Sequence, residues 1–201
     1  MAIAFSTTVL VCTTASLAGY ALAKKKFPGS GIIFIIFVAA MALPKQVILI
    51  PLFKFITELG WIDTYKALVL PAVGWPFGVF LMKQFSHSVP NELLESARID
   101  GCNELKTFIS IVLPIIKPGI GALAIFTFIA SWNDYFSQLI FTNSEMIKTL
   151  PLAAMAQSAE FSLNYGLLMA GALLASLPMI IVFLMFQNYF TQGVTMGAVK
   201  G

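Results

Sequence analysis

The charged residues of this chain are concentrated in one short stretch, residues 90–118. It contains four of the nine acidic residues (Glu92, Glu95, Asp100 and Glu104) and the only arginine, Arg98. No Ser-His-Asp set and no His/Cys cluster accompanies these charges, so their chemistry is not predicted to be catalytic. Because 59% of the chain is hydrophobic and only 10% is charged, the stretch is expected to meet water or another protein.

The first half of this stretch has the pattern of an amphipathic helix. Pro90 fits a first helical turn, because its fixed φ is already helical. Leu93, Leu94 and Ala97 then recur at helical spacing and form a short apolar stripe. Since the stripe is too small to build a core, it is predicted to dock into a groove on a partner.

The second half of the stretch has the signals of a turn and a second helix. Gly101 can adopt the left-handed conformation that ends a helix, and Asn103 can cap a helix that extends towards Ile111. Leu113 and Pro114 are expected to end that second helix. Residues 90–118 are therefore predicted to form a compact helix-turn-helix.

These residues resemble the EAA loop of permeases from ABC importers. The resemblance rests on Glu95, Ser96 and Ala97, on Gly101, and on Ile111 to Pro114 at fixed spacings, with Ser96 in place of the usual first alanine. The residues from Ala97 to Gly101 are similar to those of the carbohydrate branch of this family, the maltose and glycerol-phosphate type. The resemblance implies that 90–118 is a cytoplasmic loop that couples the chain to a separate ATPase. The coupling residues it implies are Glu95, Ser96, Ala97, Asp100, Gly101, Leu113 and Pro114.

The composition of the rest of the chain predicts a membrane protein. Its mean hydropathy is +0.90 over 201 residues, and soluble domains carry about 25% charged residues. An apolar run of about 20 residues is long enough to cross a bilayer. Five spans in an all-α polytopic bundle, one transmembrane domain over 1–201, are predicted. Pro44, Lys45 and Gln46 are expected to interrupt the second span, Pro71 and Pro76 to break the third, and Pro178 to bend the last. The predicted spans are 1–23, 31–53, 67–82, 119–141 and 167–186.

The fourth predicted span contains Trp132, Asn133, Asp134 and Tyr135. A carboxylate that faces lipid at the bilayer centre costs about 2.5–3.5 kcal/mol, so Asp134 is expected to face the bundle interior, a cavity or the outer interface. In one interpretation this group lines a sugar path, with ring faces from Trp132 or Tyr135 and hydroxyl partners from Asn133 and Asp134. In the other it is an interfacial belt with a helix-end hydrogen bond. The sequence leaves both open.

The remaining sequence signals exclude several functions for the chain alone. It has no Gly-Lys pair and therefore no phosphate-binding loop, so ATP is expected to be used by a partner subunit and no cofactor by this chain. Neither a disulfide nor a metal site is indicated by Cys12 and Cys102. The net charge of +3 gives no indication of nucleic acid.

The resemblance implies the rest of the assembly. It implies a second similar permease, ATPase subunits, an extracytoplasmic solute-binding protein, contact with membrane lipid, and a sugar or sugar derivative as substrate. The location implied is the cytoplasmic (inner) membrane of a prokaryote, with a cytoplasmic C-terminus, which residues 193–201 suggest is complete. Because the carbohydrate permeases usually have six spans, the first is expected to be missing here.

Three alternatives remain open. The first is an ABC import permease for a non-sugar solute. The second is an ATP-independent secondary transporter, which would be expected to show inverted halves and further buried charges. The third is a membrane scaffold without a transport role, which explains the charged stretch but not the proline-broken spans.

Overall fold

The computed structural model describes residues 1–156 and 165–198, and every regular element in this part of the chain is helical. The all-α class is therefore confirmed. Glu160, which lies between the fourth and fifth predicted spans, and the end of the tail, including Lys200, lie outside the described residues. The helices are α1 Ala2–Lys24, α2 Ser30–Ala40, α3 Lys45–Glu58, α4 Tyr65–Val69, α5 Pro76–His87, α6 Asn91–Ile99, α7 Glu104–Thr107, α8 Leu113–Trp132, α9 Tyr135–Phe141, α10 Leu150–Ala156 and α11 Tyr165–Ala198.

Three helical segments of the described chain are long and apolar enough to cross a membrane. They are α1, the continuous helix Glu104–Trp132 and the Leu168–Gln187 part of α11. Two bent helix pairs, Ser30–Ala40 with Lys45–Glu58 and Tyr65–Ala72 with Pro76–His87, pass the same test together. Five spans are reached when each bent pair is counted as one, which agrees with the sequence prediction.

The interruption predicted at Pro44 in the second span, 31–53, is confirmed, although the second part of the span runs on to Glu58. Its two parts, α2 and α3, are bent by 106°. The break ends at Pro44, which precedes α3 with φ −61° and ψ 133°. A proline disfavours helical geometry in the residue before it, so the helix stops and restarts in a new direction. The break predicted at Pro71 and Pro76 is confirmed, with a bend of 41°.

The prediction that Leu113 and Pro114 end a helix was wrong. The helix that begins at Glu104 runs on to Trp132, so the fourth span begins earlier and ends earlier than predicted. A π-helical turn, Phe108–Val112, lies directly before Pro114, and the Leu113 N–H donates to the Phe108 carbonyl. A proline inside an α-helix removes a hydrogen bond and clashes with the carbonyl four residues earlier. The wider turn relieves that clash because its hydrogen bonds skip to the fifth residue.

Three hydroxyls of α1 are satisfied within the helix. Thr8, Thr13 and Thr14 each donate to the carbonyl four residues earlier at 2.7–2.8 Å. Such bonds remove the cost of placing a hydroxyl in an apolar environment. The three threonine hydroxyls therefore need no partner outside α1 for these bonds.

The described chain divides into two compact units. The first comprises Met1–Thr8, Leu43–Val73 and Phe126–Met185, and the second comprises Val9–Ala42, Gly74–Ile125 and Phe186–Gly201. Within the first unit, α3, α4 and α9 contribute to one apolar cluster, and a second cluster lies around Trp132. The buried residues of the first cluster are Leu49, Ile56, Ala67 and Phe141.

A side-chain clasp closes the loop beside that cluster. Asp63 has φ +60°, and its Oδ1 accepts from the Asn143 and Ser144 backbone N–H groups and from the Ser144 hydroxyl, each at 3.0 Å. The backbone donors at Ser144 and Asn143 hold the pKa of this carboxyl below its ordinary value of 3.8. The carboxylate therefore stays charged, and keeps these bonds, at neutral pH.

The second unit is held together where glycines allow helices to touch. A Cβ on Gly19 of α1 would lie 2.6 Å from the Lys83 backbone nitrogen of α5, and one on Gly78 of α5 would lie 3.3 Å from the Ala15 Cβ. A Cβ on Gly119 of α8 would lie 2.4 Å from the Phe85 ring. In membrane helices, small residues at contacts permit such close approach. The ends of α1, α5 and α8 are thus packed without space for a larger residue.

Candidate functional site

The predicted coupling stretch forms α6 and the segment that follows it. Pro90 stands one position before the helix, with φ −62° and ψ 137°, rather than in its first turn. Glu92 lies in the first turn, where the helix dipole favours a negative charge. The helix-turn-helix predicted from the sequence is present, although its second helix does not stop at Pro114.

The C-terminal end of α6 is a Schellman motif. The Cys102 N–H donates to the Ala97 carbonyl at 2.9 Å and the Gly101 N–H donates to the Arg98 carbonyl at 3.0 Å. Gly101 has φ +74°, the left-handed conformation that this motif requires. The predicted role of Gly101 in ending the helix is confirmed.

The segment after this turn begins α7 as predicted. Asn103 caps α7, because its side-chain oxygen accepts from the Lys106 N–H at 2.8 Å. Leu113 is half-buried and Pro114 exposed, both inside the continuous helix that α7 begins. These two residues therefore lie inside the continuous helix Glu104–Trp132, which connects the turn at Gly101 to a membrane-spanning segment.

The apolar stripe of α6 is divided between two environments. Leu94 and Ala97 are only 7% and 3% exposed, so they pack against this chain rather than towards a partner, whereas Leu93 is 42% exposed. The interpretation of the three residues as one docking stripe was therefore wrong for Leu94 and Ala97, because helical spacing identifies an apolar face without saying what covers it. Any contribution of Ala97 to coupling must come from its position inside the protein.

A different set of residues forms the outward surface of α6. Glu92, Glu95, Ser96 and Ile99 are exposed and lie on the side opposite to Leu94 and Ala97; we call them the outer face of α6. Ile99 is 87% exposed, and sequence reasoning missed it. The signal that could have identified it is that Ile99 is a large apolar residue between two charged ones, outside the apolar stripe.

The second candidate site, 132–135, lies at a helix break rather than inside a continuous span. Trp132 ends α8 and is buried in the first unit, where its ring stacks on Phe128 at 6.0 Å between centroids. Its indole N–H donates to the Ala175 carbonyl at 2.9 Å. The ring of Trp132 is thus used in packing.

Asp134 makes the helix-end hydrogen bond that one interpretation predicted. Its Oδ1 caps α9 by accepting from the Ser137 N–H at 3.3 Å. Its Oδ2 forms an ion pair with Lys45, at the start of α3. Asn133 is exposed with its amide 3.5 Å from the Met179 sulfur, and Tyr135 is half-buried beside Phe136. The ion pair between Asp134 and Lys45 therefore connects the break before α9 to the break before α3, within the first unit.

No metal centre is found in residues 1–156 and 165–198: no three His, Cys, Asp or Glu side chains there come close enough to hold an ion. Cys12 and Cys102 are both free thiols.

Comparisons with known proteins identify one family and several relatives that are similar to this chain. A family model described as "Binding-protein-dependent transport system inner membrane component" matches residues 15–196. The arabinooligosaccharides transport system permease protein AraQ of Bacillus subtilis is 40% identical over 195 residues, covering 97% of this chain and 69% of the relative. The trehalose/maltose transport system permease protein MalG of Thermococcus litoralis is 35% identical, covering 99% of this chain and 73% of the relative.

A solved structure has the same fold. It is a crystal structure of a bacterial ABC transporter involved in the import of the acidic polysaccharide alginate, superposed with a TM-score of 0.80 over 94% of this chain and 73% of that chain. The two are 23% identical in sequence.

Proposed function

This chain belongs to the family of binding-protein-dependent transport system inner membrane components, the permease subunits of ABC importers, and we propose that it carries a sugar or sugar derivative across the inner membrane of a prokaryote. Support for the sugar comes from relatives whose names specify arabinooligosaccharides, trehalose and maltose, at 35–40% identity over nearly all of this chain. An ABC import permease for another solute is the nearest alternative.

The coupling of this transport to ATP is proposed to run through the outer face of α6. Ile99 is the observation that carries this proposal, because a large apolar side chain that is 87% exposed at a helix end favours burial by a partner. We place this face in the cytoplasm, against an ATPase subunit that uses the ATP, with the C-terminus on the same side. A second permease and an extracytoplasmic binding protein complete the proposed assembly.

The proposed mechanism uses α6 as a lever. Closing of the ATPase pair moves α6, and the Schellman turn passes that movement to α7 without a flexible linker. Because α7 is the first turn of the continuous helix Glu104–Trp132, the movement reaches a membrane span. The spans then change between outward-open and inward-open arrangements.

The experiment that tests this function is reconstitution of the chain with its co-expressed partners in proteoliposomes. Uptake of maltose, trehalose and an arabinooligosaccharide is measured with and without ATP inside. Uptake of one of these sugars that needs both ATP and the binding protein supports the proposal. Uptake driven by an ion gradient without ATP would contradict it and identify a secondary transporter.

Changing Ile99 to Glu is expected to weaken the binding of the ATPase subunit. Burial of such a side chain contributes about 1.5–3 kcal/mol, so we expect roughly 10–100-fold weaker binding. The measurement is ATPase retention during purification of tagged chain at a series of concentrations. Met146→Glu is the matched control, since Met146 is 92% exposed in a different loop. Equal retention in both variants would exclude the outer face of α6 as the contact.

Asp134, with Asn133 and Tyr135, is proposed to offer polar contacts along the sugar path. Asp134→Asn keeps an oxygen that can cap α9 but removes the charge that pairs with Lys45, whereas Asp134→Ala also removes the cap, which costs about 1 kcal/mol. If the carboxylate contacts sugar, Asn is expected to raise the KM for uptake about tenfold with kcat little changed. A normal KM in Asp134→Asn, together with a loss of chain stability in Asp134→Ala only, would show that Asp134 serves only as the cap of α9.

A further inference from the structure

The last residue of α1 occupies the junction between α5 and α6. The Lys24 ammonium donates to the His87 carbonyl at 3.2 Å, the Val89 carbonyl at 2.6 Å and the Asn91 side-chain oxygen at 3.0 Å. A lysine has three N–H donors, so all of them are used here. The carbonyls at the end of a helix lack partners within it, and Lys24 supplies one while it also reaches the first residue of α6.

The same turn of α1 reaches the chain on the other side of α6. Glu104, the first residue of α7, forms an ion pair with Lys25 and accepts from the Tyr20 hydroxyl at 3.4 Å. Arg98, in the last turn of α6, donates to the other Glu104 oxygen at 3.4 Å. The Tyr20 ring is buried and packs on Phe108 with centroids 5.4 Å apart.

This turn of α1 is itself held against α5. At Gly19 the backbones of α1 and α5 are so close that a Cβ would meet the Lys83 nitrogen and the Met82 carbonyl carbon at 2.6 Å. Because the contact is with backbone, it cannot be relieved by turning a flexible side chain. The groups that hold α6 therefore project from a fixed support.

We propose that Tyr20, Lys24 and Lys25 form a clamp that holds α6 at both ends and sets the angle at which its outer face is presented. The inference rests on the proposed function, in which α6 meets an ATPase. Lys24 is a positioning residue: it fixes the first residue of α6, while Lys25 and Tyr20 fix Glu104 beyond the Schellman turn. Without the clamp, α6 can still bind the ATPase but moves on its own instead of moving the spans.

Lys24→Met tests the clamp, because methionine keeps an unbranched apolar stem and loses all three donors. The complex is reconstituted and two quantities are measured, the ATPase retained by the chain and the sugar taken up per ATP hydrolysed. Since bonds to a charged donor are lost, we expect uptake per ATP to fall about tenfold, with ATPase retention unchanged. Lys24→Arg is expected to recover most of the loss. Lys26→Met is the matched control, because Lys26 is exposed and no hydrogen bond or ion pair of its side chain is found among the described residues.

Variants at Lys25 keep the test decisive if Lys24→Met fails to insert. Lys25→Met removes the ion pair with Glu104 and is expected to lower uptake per ATP, whereas Lys25→Arg keeps the positive charge and is expected to retain most of it. A wild-type ratio in Lys24→Met, or in Lys25→Met, overturns the clamp. Failure of the wild-type chain to retain any ATPase overturns the proposed function instead, so the two failures are distinguishable.

Discussion

Ala97→Asp should abolish transport while leaving the chain in the membrane. The reason is burial: Ala97 is 3% exposed on the inner side of α6, so a carboxylate at this position would be removed from water. A buried charge without a partner costs about 3–5 kcal/mol, which corresponds to a loss of the packed arrangement by roughly a hundredfold to several thousandfold. We expect α6 to leave its seat, and uptake normalised to the amount of inserted chain to fall to background.

Two control variants separate the effect of a larger side chain at position 97 from the effect of a carboxylate placed elsewhere on α6. Ala97→Ser is expected to transport nearly normally, because its hydroxyl can donate to the carbonyl four residues earlier, as the Ser96 hydroxyl does to Glu92 at 2.8 Å. Limited trypsin digestion at Arg98 in inside-out vesicles reports whether α6 remains packed. Ser96→Asp puts the same carboxylate in water and should leave that site protected. Protection of Arg98 in Ala97→Asp, together with normal uptake, would show that the buried seat of α6 is unimportant.

The two ends of α6 show what local sequence can predict. Gly101 ends the helix and Asn103 caps the next one because each acts through its own backbone neighbourhood, within three to five residues. Local contacts of this kind do not determine which face of α6 is buried. Leu94 and Ala97 are apolar whether they face a partner or this chain, so only the tertiary structure decides between those faces.

The helix breaks mark a second limit. Pro71 and Pro76 predicted a break correctly, whereas Pro114 did not interrupt its helix, because a π-helical turn precedes it. Whether the chain makes such a turn depends on packing around Phe108 and Val112, both of which are buried. A proline in the sequence therefore indicates a weak point, and its surroundings determine whether the helix bends there.

Contacts between residues far apart in sequence were beyond prediction for the same reason. The sequence marks Asp134 as unusual, but it does not identify the partner Lys45, which lies 89 residues away. In the sequence, Lys24 is one of three consecutive lysines, Lys24 to Lys26. Its three bonds to the junction of α5 and α6 depend on the parallel packing of α1 against α5 at Gly19, which a single sequence does not reveal.

Gly101→Pro is the second variant for which we expect transport to be lost. Proline fixes φ near −65°, whereas position 101 needs φ +74°. The substitution also removes the N–H that donates to the Arg98 carbonyl at 3.0 Å. A proline that replaces a bonded helix position costs about 3 kcal/mol or more, so the Schellman turn should open and α6 should lose its fixed connection to α7. Uptake per inserted chain should fall to background.

A graded series at Gly101 separates backbone geometry from side-chain bulk. A Cβ at position 101 would meet nothing within 4 Å, so bulk alone should be harmless. Asparagine adopts left-handed geometry more readily than other non-glycine residues, and alanine pays about 1–2 kcal/mol for it. Uptake per ATP is therefore expected to decline from Gly to Asn to Ala to Pro, with ATPase retention declining less. Equal uptake in Asn and Pro variants would show that the left-handed turn is not what joins α6 to the spanning helix, because only dihedral angle and a backbone donor distinguish the members of this series.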